Sequence, residues 1–357
     1  MQSNLSLSLK GTAKQYQSRM LKRSLILAGA LLLVLLSFLL DLSIGPGNYP
    51  FSIIWDTLWH KHAHGIALEV VVHEYRLPIA LMAIIIGAML ATSGAQMQTL
   101  LNNPLAEPFT LGVASAASFG AAFAILYGGD ITGNLIQHLF ISGCAFFFAL
   151  LTCGLLLMMT RIKGLGQQSI VLFGIAIYFI FNALLALMQY NANETQLQQI
   201  VFWMMGSLTR ADNNKILLSA CLLFIIMAIT LRYSWQLTAL RLGEATALSM
   251  GVNIKRLQII MLIMISLLSG LAVAFVGVVG FVGLVGPHIA RLLIGEDQRF
   301  FIPLAAILGA LMLSVASIVS KAITPGILYP IGMITALIGV PMFISILISS
   351  KRSGNLQ

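Results

Sequence analysis

Histidines, cysteines and carboxylates carry much of the chemistry that side chains can do, and in this sequence they are few and scattered. His60, His62 and His64 alternate in the run HKHAH. In an extended segment that spacing puts three imidazoles on one face, where they could meet a metal ion. No carboxylate or cysteine adjoins them, and a solvated loop is the simpler reading. Cys144, Cys153 and Cys221 each sit inside an apolar run and read as small core residues, not as disulfides or metal ligands. His288 stands alone after Pro287 and reads as a hydrogen-bonded structural group. A membrane-embedded enzyme would need paired carboxylates or clustered histidines at depth, and only His138 and His288 come near it. The chain has no G-x-x-x-x-G-K-[ST] loop to cradle a nucleotide phosphate, so any ATP that drives it is bound by another polypeptide.

The elements that must position these residues are set by composition. Of 357 residues, 59% are hydrophobic and 9% charged, and the mean hydropathy is +0.96. A water-soluble fold cannot hide so much apolar side chain, so lipid is the solvent for most of the surface. This excludes a cytosolic enzyme, a secreted disulfide scaffold and a nucleic-acid-binding module, despite a net charge of +9. Met1 to Lys22 is polar, and the apolar run after it lacks a clear small-residue cleavage site, so no cleavable signal peptide is expected.

A helical span needs about 20 apolar residues. Ten candidates emerge, at 22–40, 76–100, 109–127, 135–159, 168–189, 213–231, 257–276, 285–295, 301–320 and 330–349. The eighth is too short to cross lipid unaided and is expected to be shielded by its neighbours. An even count places both termini on one side. With those ends inside, the outer segments hold only Lys61, Arg76, Arg210, Lys215 and Lys321, and the other fifteen basic residues lie inside. That asymmetry predicts cytoplasmic termini. The predicted organisation is a cytoplasmic tail at 1–21, one transmembrane domain at 22–350 and a second tail at 351–357. Glu74, Arg76, Glu107 and Asp130 fall near span ends, leaving span interiors almost uncharged, which disfavours an ion-coupled carrier.

Within these elements, 232–256 is the one long polar inner stretch, with apolar residues at helical spacing broken at Gly243 and Gly251. Two short helices joined at a glycine, receiving a cytoplasmic partner, fit that pattern. Ala83, Gly87, Ala91 and Ala95 recur every fourth position and favour close helix packing over a pathway lining. Pro104 ends the second span, since it biases Asn103 away from helix.

Several stretches, in order, resemble the FecCD-type permease family of ATP-binding-cassette (ABC) importers. They are RLPIALMAIIIGAMLATSGAQMQTLLNNPLAEPFTLGVASAASFGA from Arg76, FWMMGSL at 202–208, RLGEATALSMGV at 241–252, GFVGLVGPHIARLLIGEDQRFFIPLAAILGA at 280–310 and PIGMITALIGVPMF at 330–343. The resemblance implies an all-α, ten-helix integral membrane protein of the type II importer fold, working as a pair of permeases in a bacterial inner membrane. It implies two cytoplasmic ATPase subunits, an extracytoplasmic substrate-binding protein, and no resident cofactor or metal. It assigns ATPase coupling to Gly243, Glu244 and Gly251, and the inner gate to Asn103 and Leu105 with Gln167 and Gln168. Glutamine there departs from the small hydroxyl residues of the cobalamin branch. Docking of the binding protein falls to Arg76 and Lys321. Ile79, Ser317 and Leu328 stand where homodimeric relatives carry charge, which leaves open a heterodimer with a second permease. Ferric siderophore is the first expected cargo, then haem, then cobalamin.

Overall fold

The computed structural model describes the backbone of residues 2–45, 47, 49–60, 64–128, 134–160, 167–324 and 326–354, and the side chains of 15–45, 47, 49–60, 64–128, 136–159, 169–324 and 326–345. Fifteen α-helices follow one another, with no strand among the described residues. Helix α1 (Gln2–Ser43) leads through the short α2 (Phe51–Trp59) to α3 (Ile66–Val70). A π-helical turn, Val71–Arg76, joins α3 to α4 (Leu77–Leu100) as one continuous rod. Then come α5 (Val113–Tyr127), α6 (Asn134–Thr160), α7 (Gln167–Asn191), α8 (Glu194–Met204) and α9 (Asn213–Arg232). Two short helices, α10 (Ser234–Arg241) and α11 (Glu244–Ser249), precede α12 (Ile254–Val276), α13 (Val282–Ile294), α14 (Gln298–Ala322) and α15 (Ile331–Gly354).

Seven helical stretches are long and apolar enough to cross a membrane, and α5, α13 and the Ile331–Ser345 part of α15 are shorter apolar helices. Together they make the ten expected elements, in the expected order. The third starts later than its hydropathy suggests, at Val113, because residues 101–112 fold into turns that end at Gly112, whose φ of +89° is not helical. Helices α2 and α8 lie outside the ten. Helix α8 has a legible start, a capping box in which Asn193 and Gln196 exchange side-chain and backbone hydrogen bonds.

The centre of the bundle is α4, buried almost all round and packed against α1, α9, α12, α13 and α14. Lipid offers no hydrophobic drive for helices to associate, so close backbone approach must supply dispersion contact. A Cβ on Gly94 would overlap the Gly283 carbonyl of α13, and one on Gly87 would overlap the Gly309 carbonyl of α14. The stripe Ala83, Gly87, Ala91 and Ala95 is thus a packing surface. Gly286 belongs to the same seam, with room of only 3.2 Å between a Cβ there and that of Ala91. Lipid-type exposure falls elsewhere, on leucines of α1 and on α9, where Phe224 is 77% exposed.

Candidate functional site

The stretch 232–256 takes the predicted form of two short helices meeting at a glycine. Gly243 has φ +111° and Gly251 φ +80°, and no atom lies within 4 Å of a Cβ built at either. Backbone conformation, not crowding, therefore demands glycine at both. Leu237, Leu240 and Ala247 are buried beneath the pair, while Trp235, Leu242, Leu248 and Met250 stand exposed on it. Glu244 occupies the first turn of α11.

A charged network fastens this hairpin to the bundle. Arg241 donates to Glu296 through Nη2 to Oε1 at 2.6 Å and Nε to Oε2 at 3.1 Å, and through Nη1 to Asn102 Oδ1 at 2.6 Å. Arg291 of α13 lies 2.8 Å from Glu296 Oε1 and donates to Gln98 Oε1 of α4 at 3.0 Å. Asp297 is held by Arg23 of α1 at 2.8 Å and by Arg299 at 2.9 Å. The two-pronged arginine contact fixes direction as well as distance. Sequence reasoning missed Arg241, Glu296 and Arg291. A hint existed, since all three are charges beside apolar spans.

Asn102 adopts φ +46°, and next to it Asn103 Oδ1 accepts the Leu105 N–H at 3.0 Å. That bond closes a side-chain turn of the kind Asn favours. Leu105 is 39% exposed. The structure therefore puts the two gate candidates Asn103 and Leu105 beside the residue that Arg241 grips. Gln167 and Gln168 open α7, but their side chains lie outside the described residues.

Further along the same connection, Glu107 is 4% exposed and sits against Gly283, where a Cβ would lie 3.3 Å from Oε2. Burial pushes its carboxyl up from 4.5 to about 7, although the Phe281 N–H bonded to it favours the charged form. A carboxyl with a raised folded value contributes fully to stability below the unfolded value, and that contribution is lost as pH rises through about 7. Thermal stability in detergent is expected to fall between about pH 5 and pH 8 by an amount that Glu107→Gln abolishes. Equal pH slopes in the two proteins would refute this.

At the opposite end, Arg76 and Lys321, the expected docking points, are both buried. Arg76 is 3% exposed. Its Nη1 donates to the Leu42 and Ser43 carbonyls at 2.9 and 3.1 Å, and its Nη2 to the Gly47 carbonyl at 2.9 Å. These are oxygens at and just beyond the C-terminus of α1, which no helical N–H can reach, so Arg76 caps α1 from another span. Lys321 is 7% exposed and pairs with the fully buried Asp41 at 2.8 Å. Ser317 donates to both Asp41 oxygens at 3.0 and 3.1 Å. Both cations are thus engaged by groups within the chain itself.

The HKHAH run gains a carboxylate that lies upstream. His60 Nδ1 is 2.8 Å and His64 Nε2 2.9 Å from the two oxygens of Asp56. Donated hydrogen bonds from both rings hold that carboxyl below its ordinary value. His62 lies outside the described residues, and among those described no group of three or more His, Cys, Asp or Glu could hold a metal. Cys144, Cys153 and Cys221 are free thiols. His288 is half-buried and makes no hydrogen bond among the described residues, contrary to the expectation of a bonded structural group.

Known proteins place this arrangement. The FecCD transport family matches residues 32–349. The molybdate import permease MolB of Haemophilus influenzae is 32% identical over 336 residues, covering 92% of this chain and 97% of its own. The vitamin B12 import permease BtuC of Yersinia pseudotuberculosis is 34% identical over 320 residues, covering 90% and 92%. A metal-chelate type ABC transporter solved in an inward-facing conformation superposes with TM-score 0.78 at 29% identity, covering 91% of this chain and 99% of that one. These are transport subunits whose ATPase is a separate chain. This multi-pass membrane protein belongs to the FecCD transport family and is a permease subunit of an ABC importer.

Proposed function

We propose that the chain forms half of a translocation pathway for a metal chelate across a bacterial inner membrane, with ferric siderophore the first cargo and haem or cobalamin the alternatives. The observation that carries the reading is the rigid link from the exposed apolar face of α10 and α11, through Arg241, to the Asn102–Leu105 turn. A cytoplasmic ATPase docks on that face around Gly243, Glu244 and Gly251, one copy per permease. Its movement reaches Asn103 and Leu105, which gate the inner mouth with Gln167 and Gln168. A nearly uncharged, Phe- and Met-rich bundle suits bulky chelates better than bare ions. An extracytoplasmic binding protein delivers cargo to the other end, and a second permease, identical or not, completes the pathway. With Arg76 and Lys321 buried, the binding protein is held by other groups.

The test is reconstitution in proteoliposomes with the ATPase and binding protein. ATP-dependent uptake of a ferric chelate above haem, cobalamin and molybdate supports the reading; uptake driven by a proton gradient without ATP overturns it. Orientation is checked on two exposed positions. Cysteine at Asn193 is expected to label from outside intact cells with an impermeant reagent, and cysteine at Ser249 is not. Labelling of Ser249 from outside reverses the topology.

A further inference from the structure

The end of the bundle opposite α10 and α11 holds a cavity of about 430 Å³ between α6, α8 and the connection into α9. That is the size of a small-molecule site. Its charge is one-sided. Arg210, Lys215 and His138 line it together with glutamine amides from α6 and α8, and no carboxylate among the described residues lines it. The charge on Lys215 is already matched, because its Nζ lies 2.9 Å from Asp212 and donates to the Arg210 carbonyl at 2.8 Å.

Arg210 is different. Its guanidinium lies 5.6 Å from the centre of the Trp203 ring, and Nη2 makes a long bond of 3.3 Å to the Phe202 carbonyl. Its Nη1 is buried and has no hydrogen-bond partner among the described residues. Arg210 forms no ion pair among the described residues, so its charge is left for an anion that enters the cavity. Phe202, Trp203 and Phe275 supply flat apolar walls beside it.

We propose that this cavity binds a ligand whose anionic oxygen group is carried on a flat or apolar body, and that the Arg210 guanidinium, which lines the cavity, turns to donate to that oxygen. Two sources share this chemistry, a transported chelate with carboxylate or catecholate oxygens and the headgroup of an anionic lipid. The first source rests on the import reading above; the site itself does not.

The test uses the full chain in nanodiscs. In phosphatidylcholine discs, the ferric complex of 2,3-dihydroxybenzoate is the soluble probe, read as iron retained at equilibrium. In mixed discs, phosphatidylglycerol is the lipid probe, read as lipid retained in native mass spectra. Arg210→Gln is expected to weaken one or both about tenfold or more, the loss of one charge-assisted hydrogen bond, with Arg210→Lys intermediate. Gln199→Glu, at an exposed rim position, adds a carboxylate without removing a buried group and is expected to weaken the same probe. Dependence of the ferric probe on Arg210 identifies a chelate site, and dependence of the lipid alone identifies a headgroup site. If neither probe responds to Arg210→Gln or Gln199→Glu in protein that elutes and melts like the parent, the site is overturned. Binding needs neither ATPase nor binding protein, so failed uptake of the ferric chelate in proteoliposomes would refute the chelate reading and leave this result standing.

Discussion

Lys321→Met is expected to cost about 3–5 kcal/mol and to remove most folded protein from detergent extracts, because it strands a buried carboxylate. Asp41 is fully buried, and its charge is met by Lys321 at 2.8 Å and by the Ser317 hydroxyl. A loss of that size takes a large share of the roughly 5–15 kcal/mol of net stability that a domain has. The double variant Asp41→Asn, Lys321→Met removes both charges and is expected to recover most of the yield, since an uncharged pair of similar shape has no ion to desolvate. Thermal unfolding followed by size-exclusion chromatography measures both. Arg76→Glu belongs with the single variant, because it would set a carboxylate against carbonyl oxygens that now accept hydrogen bonds. Should Lys321→Met melt like the parent and lose only capture of the binding protein, the cation serves docking after all.

Arg241→Ala is expected to abolish ATP-driven uptake while leaving the ATPase bound and hydrolysing. The substitution cuts α10 free from Glu296 and Asn102 without touching the exposed apolar residues on which the ATPase would sit. Arg241→Lys keeps the charge but cannot span both partners with one planar fork, so it is expected to retain only a small part of the coupling. Glu296→Gln, which weakens the same contact from the other side, is expected to fall between them. Transport per ATP hydrolysed, measured in proteoliposomes, is the readout. An unchanged ratio in Arg241→Ala would mean that motion reaches the Asn102–Leu105 turn by another route.

What the sequence by itself determined is whatever depends on near neighbours. Hydropathy located ten apolar helices in order because a span must be apolar over its own length. Gly243 and Gly251 marked the breaks around α11 because a positive φ is a local demand, whatever packs nearby. Spacing of small residues along α4 announced a close-packed face, and Pro104 announced the turn.

The partners of the charges were decided only by the tertiary structure. Arg76 and Lys321 looked alike in sequence, single cations at outer span ends, and exposure was the natural reading for both. Which carbonyls Arg76 would cap depended on the exit of α1, more than thirty residues earlier. Asp41 and Lys321 are 280 residues apart, and Arg241 and Asn102 are 139 apart. No periodicity within either segment encodes such a meeting. An ionised group in an apolar bundle carries a desolvation cost large enough to require a counter-charge or a ring of donors, but that cost does not say which one. The choice is made by how α1, α4, α10 and α14 pack, and that packing rests on close backbone contacts such as Gly87 against Gly309.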